Sequence, residues 1–186
     1  MRSYRIEAYA IISADGMIAD RERRFPEALK NDADKRFFHA ALDKAGAIAL
    51  GRVTHEQERN SGRKRLVLTR KIAALAPDPV DSHALFWNPA GASWDAARLA
   101  LGLRAGVVAV IGGTDVYQVF LDIGYDAFHL SWLPRVRIPD GTPIFPGIVS
   151  GRSPDDILRA AGLKAGPVRL LDPLAGVTLV SWTRNH

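Results

Sequence analysis

Four short apolar runs, spaced by segments of helix length, most strongly limit how this chain can fold. They occupy residues 47–50, 65–68, 84–87 and 107–111. Continuous apolar runs of this length are typical of strands whose two faces are both buried. Strands separated by helix-sized segments indicate βαβ crossovers, and such crossovers build a mainly parallel sheet.

The rest of the chain supplies further elements by its local pattern. We predict a strand at 5–12, helices at 32–43 and 93–101, and strands at 127–132, 169–171 and 176–183. Asn31 or Asp32 can cap the first helix, and Gly46 can stop it. No helical pattern separates the last two strands, so they predict an antiparallel segment at one edge of a mixed sheet.

Composition excludes several classes of protein. With 186 residues the chain is long enough for one domain, which we expect to span residues 1–186. It has no cysteine, which excludes disulfides, thiolate metal sites, iron–sulfur clusters and a cysteine nucleophile. No segment approaches the ~20 apolar residues that span a bilayer, and Glu7 interrupts any signal-like run. We therefore expect a cytoplasmic protein with no membrane partner.

The net charge of +5 at pH 7 suggests an anionic partner. Basic residues gather at 21–24, 63–71 and 135–137, without a long basic helix or the interleaved aromatic residues that stack bases. This distribution favours a phosphorylated small molecule and argues against nucleic acid. A solvated basic surface is the alternative explanation for each cluster.

Polar residues and glycines follow the predicted strands at the edge where open α/β sheets bind ligands. After the first apolar run, Gly51 opens a segment in which Arg52 and Thr54 can hold a pyrophosphate. After the second run, Thr69 and Arg70, followed by a lysine, offer the hydroxyl and cations that suit a ribose 2′-phosphate, which favours NADPH over NADH. Capped helix starts with solvated charges are the alternative for both segments.

The run at 107–111 continues into Gly112-Gly113, where a ligand could approach the backbone closely. A helix that follows would present its N-terminus to a phosphate, although a plain strand-to-helix turn is the alternative. The glycine spacing differs from the Rossmann fingerprint, so a Rossmann domain is not indicated. Gly16 lies in an Asp-Gly turn that could approach a ring system, and residues 140–147 predict a rigid loop.

Taken in this order, the segments resemble the dihydrofolate reductase superfamily, which includes the reductase domain of bacterial riboflavin biosynthesis. The matching motifs are Ser-x-Asp-Gly-x-Ile-Ala at 13–19, Gly-Arg-x-Thr-x-Glu at 51–56, Val-Leu-Thr-Arg at 67–70, Ile-Gly-Gly at 111–113 with Tyr117, and Phe-Pro at 145–146. The first motif looks more like the riboflavin branch. The resemblance covers residues 4–147.

This resemblance implies a three-layer α/β/α fold with a mixed, mainly parallel sheet of about eight strands. It also implies NADPH as the hydride donor and a cis Gly-Gly peptide, and the riboflavin-type relatives suggest a homodimer. The cofactor-binding residues that it implies are Ile18, Gly51, Arg52, Thr54, Thr69, Arg70, Ile111, Gly112, Gly113, Thr114, Asp115 and Tyr117.

The folate enzymes anchor their substrate through an acidic residue on the first helix, one turn before a phenylalanine. Counting back four from Phe38 gives Asp34, which shares a helix face with it and which we take as the catalytic residue. A carboxylate there can hold a pterin's amidine edge and assist protonation of the ring. Asp32 is a competing candidate, and an exposed first-turn aspartate is the alternative explanation. The implied substrate-binding residues are Ala10, Asp15, Arg23, Arg24, Phe38 and Arg63, and no metal is implied.

Two heterocyclic substrates are consistent with these residues. The Trp-Pro pair of the folate enzymes is missing, and Arg21, Arg23 and Arg24 suit a ribose phosphate, so a 5-amino-6-(5-phosphoribosylamino)uracil reductase is the leading hypothesis. Arg63 resembles the glutamate-binding arginine of the folate enzymes and keeps dihydrofolate as the alternative. A chain without cysteine cannot carry the zinc-deaminase signature. A non-catalytic binding domain on the same fold is a remote alternative.

Overall fold

The computed structural model describes residues 3–57 and 62–184. Its strands are β1 (Tyr4–Ser13), β2 (Met17–Ala19), β3 (Ala47–Gly51), β4 (Arg65–Leu68), β5 (Leu75–Pro77), β6 (Ala84–Trp87), β7 (Gly106–Val110), β8 (Ala127–Leu133), β9 (Thr142–Pro143), β10 (Leu163–Asp172) and β11 (Val177–Arg184). Its helices are α1 (Asp32–Leu42), α2 (Arg52–Gln57), α3 (Trp94–Ala100), α4 (Thr114–Ile123) and α5 (Pro154–Ala160). Short 3₁₀ turns occupy Glu27–Leu29 and Pro146–Ile148.

Nine strands form one mixed sheet in the order β10-β11-β8-β1-β7-β3-β4-β6-β5. The six strands from β8 to β6 run parallel to one another. β11 is antiparallel to β8, and β10 is antiparallel to β11. The predicted mainly parallel sheet with an antiparallel C-terminal edge is therefore confirmed, with nine strands where about eight were expected.

The path of the chain leaves a gap in the sheet and later fills it. From β1 the chain crosses to β3 and continues outward through β4 and β6, and β7 then returns to lie between β1 and β3. The next crossover places β8 on the other side of β1. Strand order therefore reverses around β1 and β7, and open α/β sheets bind ligands at such a reversal, beyond the carboxyl ends of the strands.

Helices cover both faces of the sheet and produce the three layers. On one face α3, α4 and α5 pack over an aromatic core that includes Trp87, Phe120, Phe128 and Trp182. On the other face α1 packs over a smaller core of aliphatic residues together with Tyr9. The apolar runs at 47–50 and 66–68 are needed because both faces of these strands are covered, as the sequence indicated.

Most predicted elements are present, and four short ones were not anticipated. β5, β2 and β9 have only two or three residues each, too few for a periodic pattern. Residues 140–147 were predicted to be a loop, but β9 within them pairs with β2, a contact between distant segments. α5 did carry a local signal: Ser153 caps it, Pro154 follows, and two aspartates lie in its first turn.

No helix within the described ranges 3–57 and 62–184 is long and apolar enough to cross a membrane.

Candidate active site

The segments predicted to bind a cofactor meet at the carboxyl ends of β3, β4 and β7. The backbone N–H of Gly51 donates to the carbonyl of Gly112 over 3.0 Å. The guanidinium of Arg70, just after β4, lies 3.2 Å from the carboxylate of Asp115 on α4. These contacts join three segments that are far apart in the sequence into one edge of the sheet.

The two glycines after β7 have different surroundings. The peptide between Gly112 and Gly113 is cis, as the resemblance implied. Gly112 has a φ of +100°, and a Cβ atom there would lie 2.8 Å from the ring of Tyr117, so the fold itself requires glycine. A Cβ atom on Gly113 would meet nothing nearer than the Cδ1 atom of Ile18, 4.0 Å away. Open space therefore lies over Gly113, facing Ile18.

The N-terminus of α4 borders this open space. Gly113 is its N-cap residue, and among the described residues no side chain caps the helix. The hydroxyl of Thr114 donates instead to the carbonyl of Pro143, which fixes β9 against the helix. The uncapped N–H groups of the first turn and the positive end of the helix dipole are suited to an anionic group such as a phosphate.

The other residues that were predicted to bind the cofactor through a cation or a hydroxyl, Arg52, Thr54 and Thr69, flank the same edge. On α2, the Nε atom of Arg52 lies 2.6 Å from a carboxylate oxygen of Glu56, and Thr54 is half-buried. Thr69 is buried, and its hydroxyl oxygen accepts the N–H of Lys71 over 3.2 Å. No helix begins at Thr69, because the described chain beyond it bends directly into β5.

The two acidic candidates on α1 lie in different environments. Asp34 is half-buried and forms a hydrogen bond with Ser131 of β8, whereas Asp32 is exposed. Burial raises the pKa of the Asp34 carboxyl above its ordinary value, and the hydrogen bond from Ser131 opposes this shift only in part. Two residues along a helix differ in direction by about 200°, which explains why only Asp34 faces the sheet.

Tyr117 connects Asp34 to the glycine pair. Its hydroxyl is buried and donates to the carbonyl of Tyr9 on β1 over 2.6 Å. Burial raises the pKa of Tyr117, and the nearby charge of Asp34 raises it further. Asp34 and the first turn of α4, which carries Tyr117, are therefore within electrostatic range of each other.

We compared this structure and sequence with known proteins. The sequence matches no protein-family model and no curated protein. A riboflavin biosynthesis protein from Shewanella sp. PV-4 superimposes with a TM-score of 0.67 at 18% identity, covering 98% of this chain and 99% of that one. Dihydrofolate reductase from Enterococcus faecalis, solved with NADP(H), superimposes with a TM-score of 0.65 at 16% identity, covering 98% and 97%. The chain has the dihydrofolate reductase fold.

A third solved structure with this fold is a two-function protein from Thermotoga maritima. It is a diaminohydroxyphosphoribosylaminopyrimidine deaminase and 5-amino-6-(5-phosphoribosylamino)uracil reductase. The TM-score is 0.65 at 17% identity, and the match covers 98% of this chain but 57% of the longer protein. Identities of this size establish a common fold, and they do not transfer activity from one protein to another.

Within this dihydrofolate reductase fold, the predicted substrate residues Ala10 and Phe38 lie on opposite faces of the sheet, and Phe38 is on the same helix as Asp34. Ala10 packs into the core beneath α4, whereas Phe38 packs on the opposite face of the sheet, 6.4 Å from the ring of Tyr9.

Asp15, another predicted substrate residue, accepts hydrogen bonds from the hydroxyl of Ser13 over 2.5 Å and from the N–H of Ile138 over 3.2 Å. Burial alone would raise the pKa of Asp15, but these bonds outweigh it and lower the pKa.

The predicted substrate-binding arginines are also separated. Arg63 donates 2.6 Å hydrogen bonds to the carbonyl of Leu42 and the carboxylate of Asp43, so it caps the C-terminal end of α1. Arg23 and Arg24 lie in an exposed turn next to β2, where Arg24 pairs with neighbouring carboxylates at 3.4 Å. Arg23 has a φ of +62°, which fixes the shape of this turn.

The sequence did not single out two buried polar groups, Ser131 and His55. Ser131 is buried at the centre of β8, where a hydroxyl between apolar residues was the available signal. His55 is buried beneath α2 and contacts Asp78, a partner 23 residues away that sequence cannot identify. Among the described residues, no group of three or more His, Asp or Glu side chains could hold a metal ion.

The surroundings of the two glycines predict opposite outcomes for two adjacent substitutions. Gly113→Ala is expected to leave the melting temperature nearly unchanged, because the added methyl group enters open space. It should abolish binding of a dinucleotide that occupies this space. Gly112→Ala should destabilise the fold by about 1–3 kcal/mol through its positive φ and its clash with Tyr117. Thermal unfolding and NADPH titration followed by fluorescence measure both effects; a folded Gly113→Ala protein that binds NADPH normally would contradict this interpretation.

Proposed function

We propose that this protein is an NADPH-dependent reductase of a heterocyclic substrate. The observation that carries the proposal is the position of Asp34. Its half-buried carboxyl lies within electrostatic range of Tyr117 in the first turn of α4, and at that helix the space over Gly113 is open and the N-terminus is uncapped. A proton source and a phosphate-binding backbone therefore lie within electrostatic range of each other. The fold shared with dihydrofolate reductase and a uracil reductase supports the same conclusion.

Residues of this chain fit a nicotinamide dinucleotide. The N-terminus of α4 and the side chains of Arg52 and Thr54 would hold the pyrophosphate, and Arg70 would hold a ribose 2′-phosphate. Ile18 and Gly113 would border the nicotinamide ring. When bound, the cofactor supplies the hydride, and the protein aligns the reacting groups and excludes water.

Asp34 supplies the proton that reduction of a C=N bond requires. Because burial raises its pKa, the carboxyl keeps its proton closer to neutral pH than an exposed aspartate does. Ser131 fixes the orientation of the carboxyl through its hydrogen bond. A carboxyl in this position donates to the nitrogen of the reduced bond and is then reprotonated from solvent.

The proposed substrate is a ribosylaminopyrimidine phosphate. Arg63, the residue that favoured dihydrofolate, is engaged at the C-terminal end of α1. Arg23, in the exposed turn beside β2, is free to meet a substrate phosphate, since no ion pair to it occurs among the described residues. Two neighbours in fold are named for riboflavin biosynthesis and for reduction of a phosphoribosylaminouracil. Dihydrofolate remains the alternative substrate.

Substitution of Arg70 tests the cofactor. Arg70→Ala should weaken NADPH binding by about 1–3 kcal/mol, the size of a lost charged hydrogen bond, and leave NADH binding nearly unchanged. Titration calorimetry with both nucleotides measures the difference. Arg104→Ala is the matched control, because Arg104 is an exposed arginine that precedes β7 at the other end of the sheet. Equal losses for NADPH and NADH would place Arg70 away from the 2′-phosphate.

Substitution of Asp34 tests the proton source. Asp34→Asn should lower kcat by roughly 10²–10⁴-fold, the usual contribution of a general acid. In the native enzyme kcat should be highest at low pH and fall as pH rises through the raised pKa of Asp34, because the protonated form is the active one. This decline should vanish in the variant. Asp32→Asn, two residues away and exposed, serves as the control; an equal effect at Asp32 would refute the assignment.

A substrate panel tests the substrate class, with NADPH oxidation followed by absorbance. We expect turnover of 5-amino-6-(5-phosphoribosylamino)uracil. Arg23→Ala should raise KM with little change in kcat, because a phosphate contact is made equally in the ground and transition states. Rapid turnover of dihydrofolate, with a KM that Arg23→Ala leaves unchanged, would favour the alternative substrate. No turnover of either compound, together with no NADPH binding, would refute the reductase proposal.

A further inference from the structure

A hydrogen-bonded pair of ionisable side chains lies buried beneath α2. The Nε2 atom of His55 is 2.6 Å from a carboxylate oxygen of Asp78. Both side chains are almost inaccessible to solvent, with exposed fractions of 1% and 3%. Polar groups this deeply buried are expensive to desolvate unless their hydrogen bonds are satisfied, so the contact between them is strong and directional.

A second contact assigns the proton on the imidazole ring. A guanidinium nitrogen of Arg65 lies 3.4 Å from Nδ1 of His55. A guanidinium only donates, so Nδ1 accepts and the ring proton resides on Nε2, from which it is donated to Asp78. Asp78 is fixed in turn by the N–H groups of Val80 and Asp81. The carboxylate is therefore a rigid anchor point in the turn between β5 and β6.

The buried side chain of His55 holds α2 against the rest of the protein. Among the described residues 52–57 of this helix, it alone is fully buried, and its ring packs nearly perpendicular to that of Phe86 at 6.0 Å between centroids. A helix held mainly by apolar side chains can rotate slightly about its axis, because apolar contacts have little directional preference. The 2.6 Å hydrogen bond to Asp78 restricts that rotation, since hydrogen bonds weaken steeply as they bend.

The same helix carries the side chains proposed to contact the cofactor phosphates. Arg52 lies three residues before His55, and Thr54 lies next to it. Fixing the rotation of α2 therefore fixes the direction in which both side chains point. We propose that His55 and Asp78 are positioning residues for the cofactor site, and that their hydrogen bond orients Arg52 and Thr54 toward the phosphates. This proposal rests on the proposed use of NADPH.

The test compares variants that keep different features of His55. His55→Phe keeps a ring against Phe86 but has no donor, and His55→Gln keeps an N–H near the position of Nε2. We expect His55→Phe and Asp78→Asn to weaken NADPH binding about tenfold, with kcat at saturating NADPH unchanged. His55→Gln should recover most of the affinity. His83→Phe is the control, because His83 is an exposed histidine in the turn between β5 and β6.

A double substitution separates positioning from general loss of stability. If His55 acts through Arg52, His55→Phe should have less than about a twofold further effect on NADPH affinity in an Arg52→Ala background. All affinities are measured well below the lowest melting temperature of the set. Because His55→Phe leaves Asp78 buried without its donor, the comparison of Asp78→Asn with His55→Gln provides the test if the phenylalanine variant does not fold.

Three outcomes would overturn the proposal. Melting temperatures that fall while NADPH affinity is unchanged would leave His55 with a purely structural role. An equal loss of NADPH affinity from His55→Phe in the native and Arg52→Ala backgrounds would show that His55 does not act through Arg52. Failure of the native protein to bind NADPH would refute the proposed function and this inference together, whereas native binding with unaffected variants would refute the inference alone.

Discussion

The insertion of β7 between β1 and β3 is the constraint on which the candidate site depends. It pairs β7 with both neighbours and brings the Gly51 N–H within 3.0 Å of the Gly112 carbonyl. The two strands that it joins, β1 and β3, lead into α1 and α2. These helices carry the proposed acid, Asp34, and the proposed phosphate ligands. Without this late return of the chain, Asp34, Arg52 and the glycine pair would lie on elements that share no edge.

Much of this architecture follows from local patterns, because the constraints that produce it are local. A strand covered on both faces is mostly apolar, and this pattern predicted 84–87 and, apart from its first residue Arg65, 65–68 with their observed boundaries. A helix needs a cap, and Asn31 accepts the N–H groups of Ala33 and Asp34 as its residue type suggested. By contrast, β2 pairs with β9 across more than a hundred residues, and neither strand is long enough to show a period.

The candidate site could be predicted as a set of segments but not as a set of contacts. The sequence favoured Asp34 by its spacing to Phe38 and kept Asp32 as a competitor, and the sheet behind α1 distinguishes them, because Ser131 meets Asp34 and solvent meets Asp32. Arg63 illustrates the opposite case. Its motif suggested a ligand, whereas the folded chain uses it for the carbonyl of Leu42. Charged side chains reach several partners, and sequence does not rank those partners.

Environment gives the acidic residues near this edge different capabilities. Asp15 is surrounded by donors of its own chain, so it stays ionised and serves as a structural acceptor that connects Ser13 to residue 138. Asp34 is desolvated and has Ser131 as its hydrogen-bond partner, so its pKa is raised. Of two carboxyls with the same chemistry, one is thus held as a fixed anion and the other is suited to the proposed role of proton donor. The number of donors that the fold aims at each carboxyl decides which one can perform acid chemistry, and that number is set by tertiary structure.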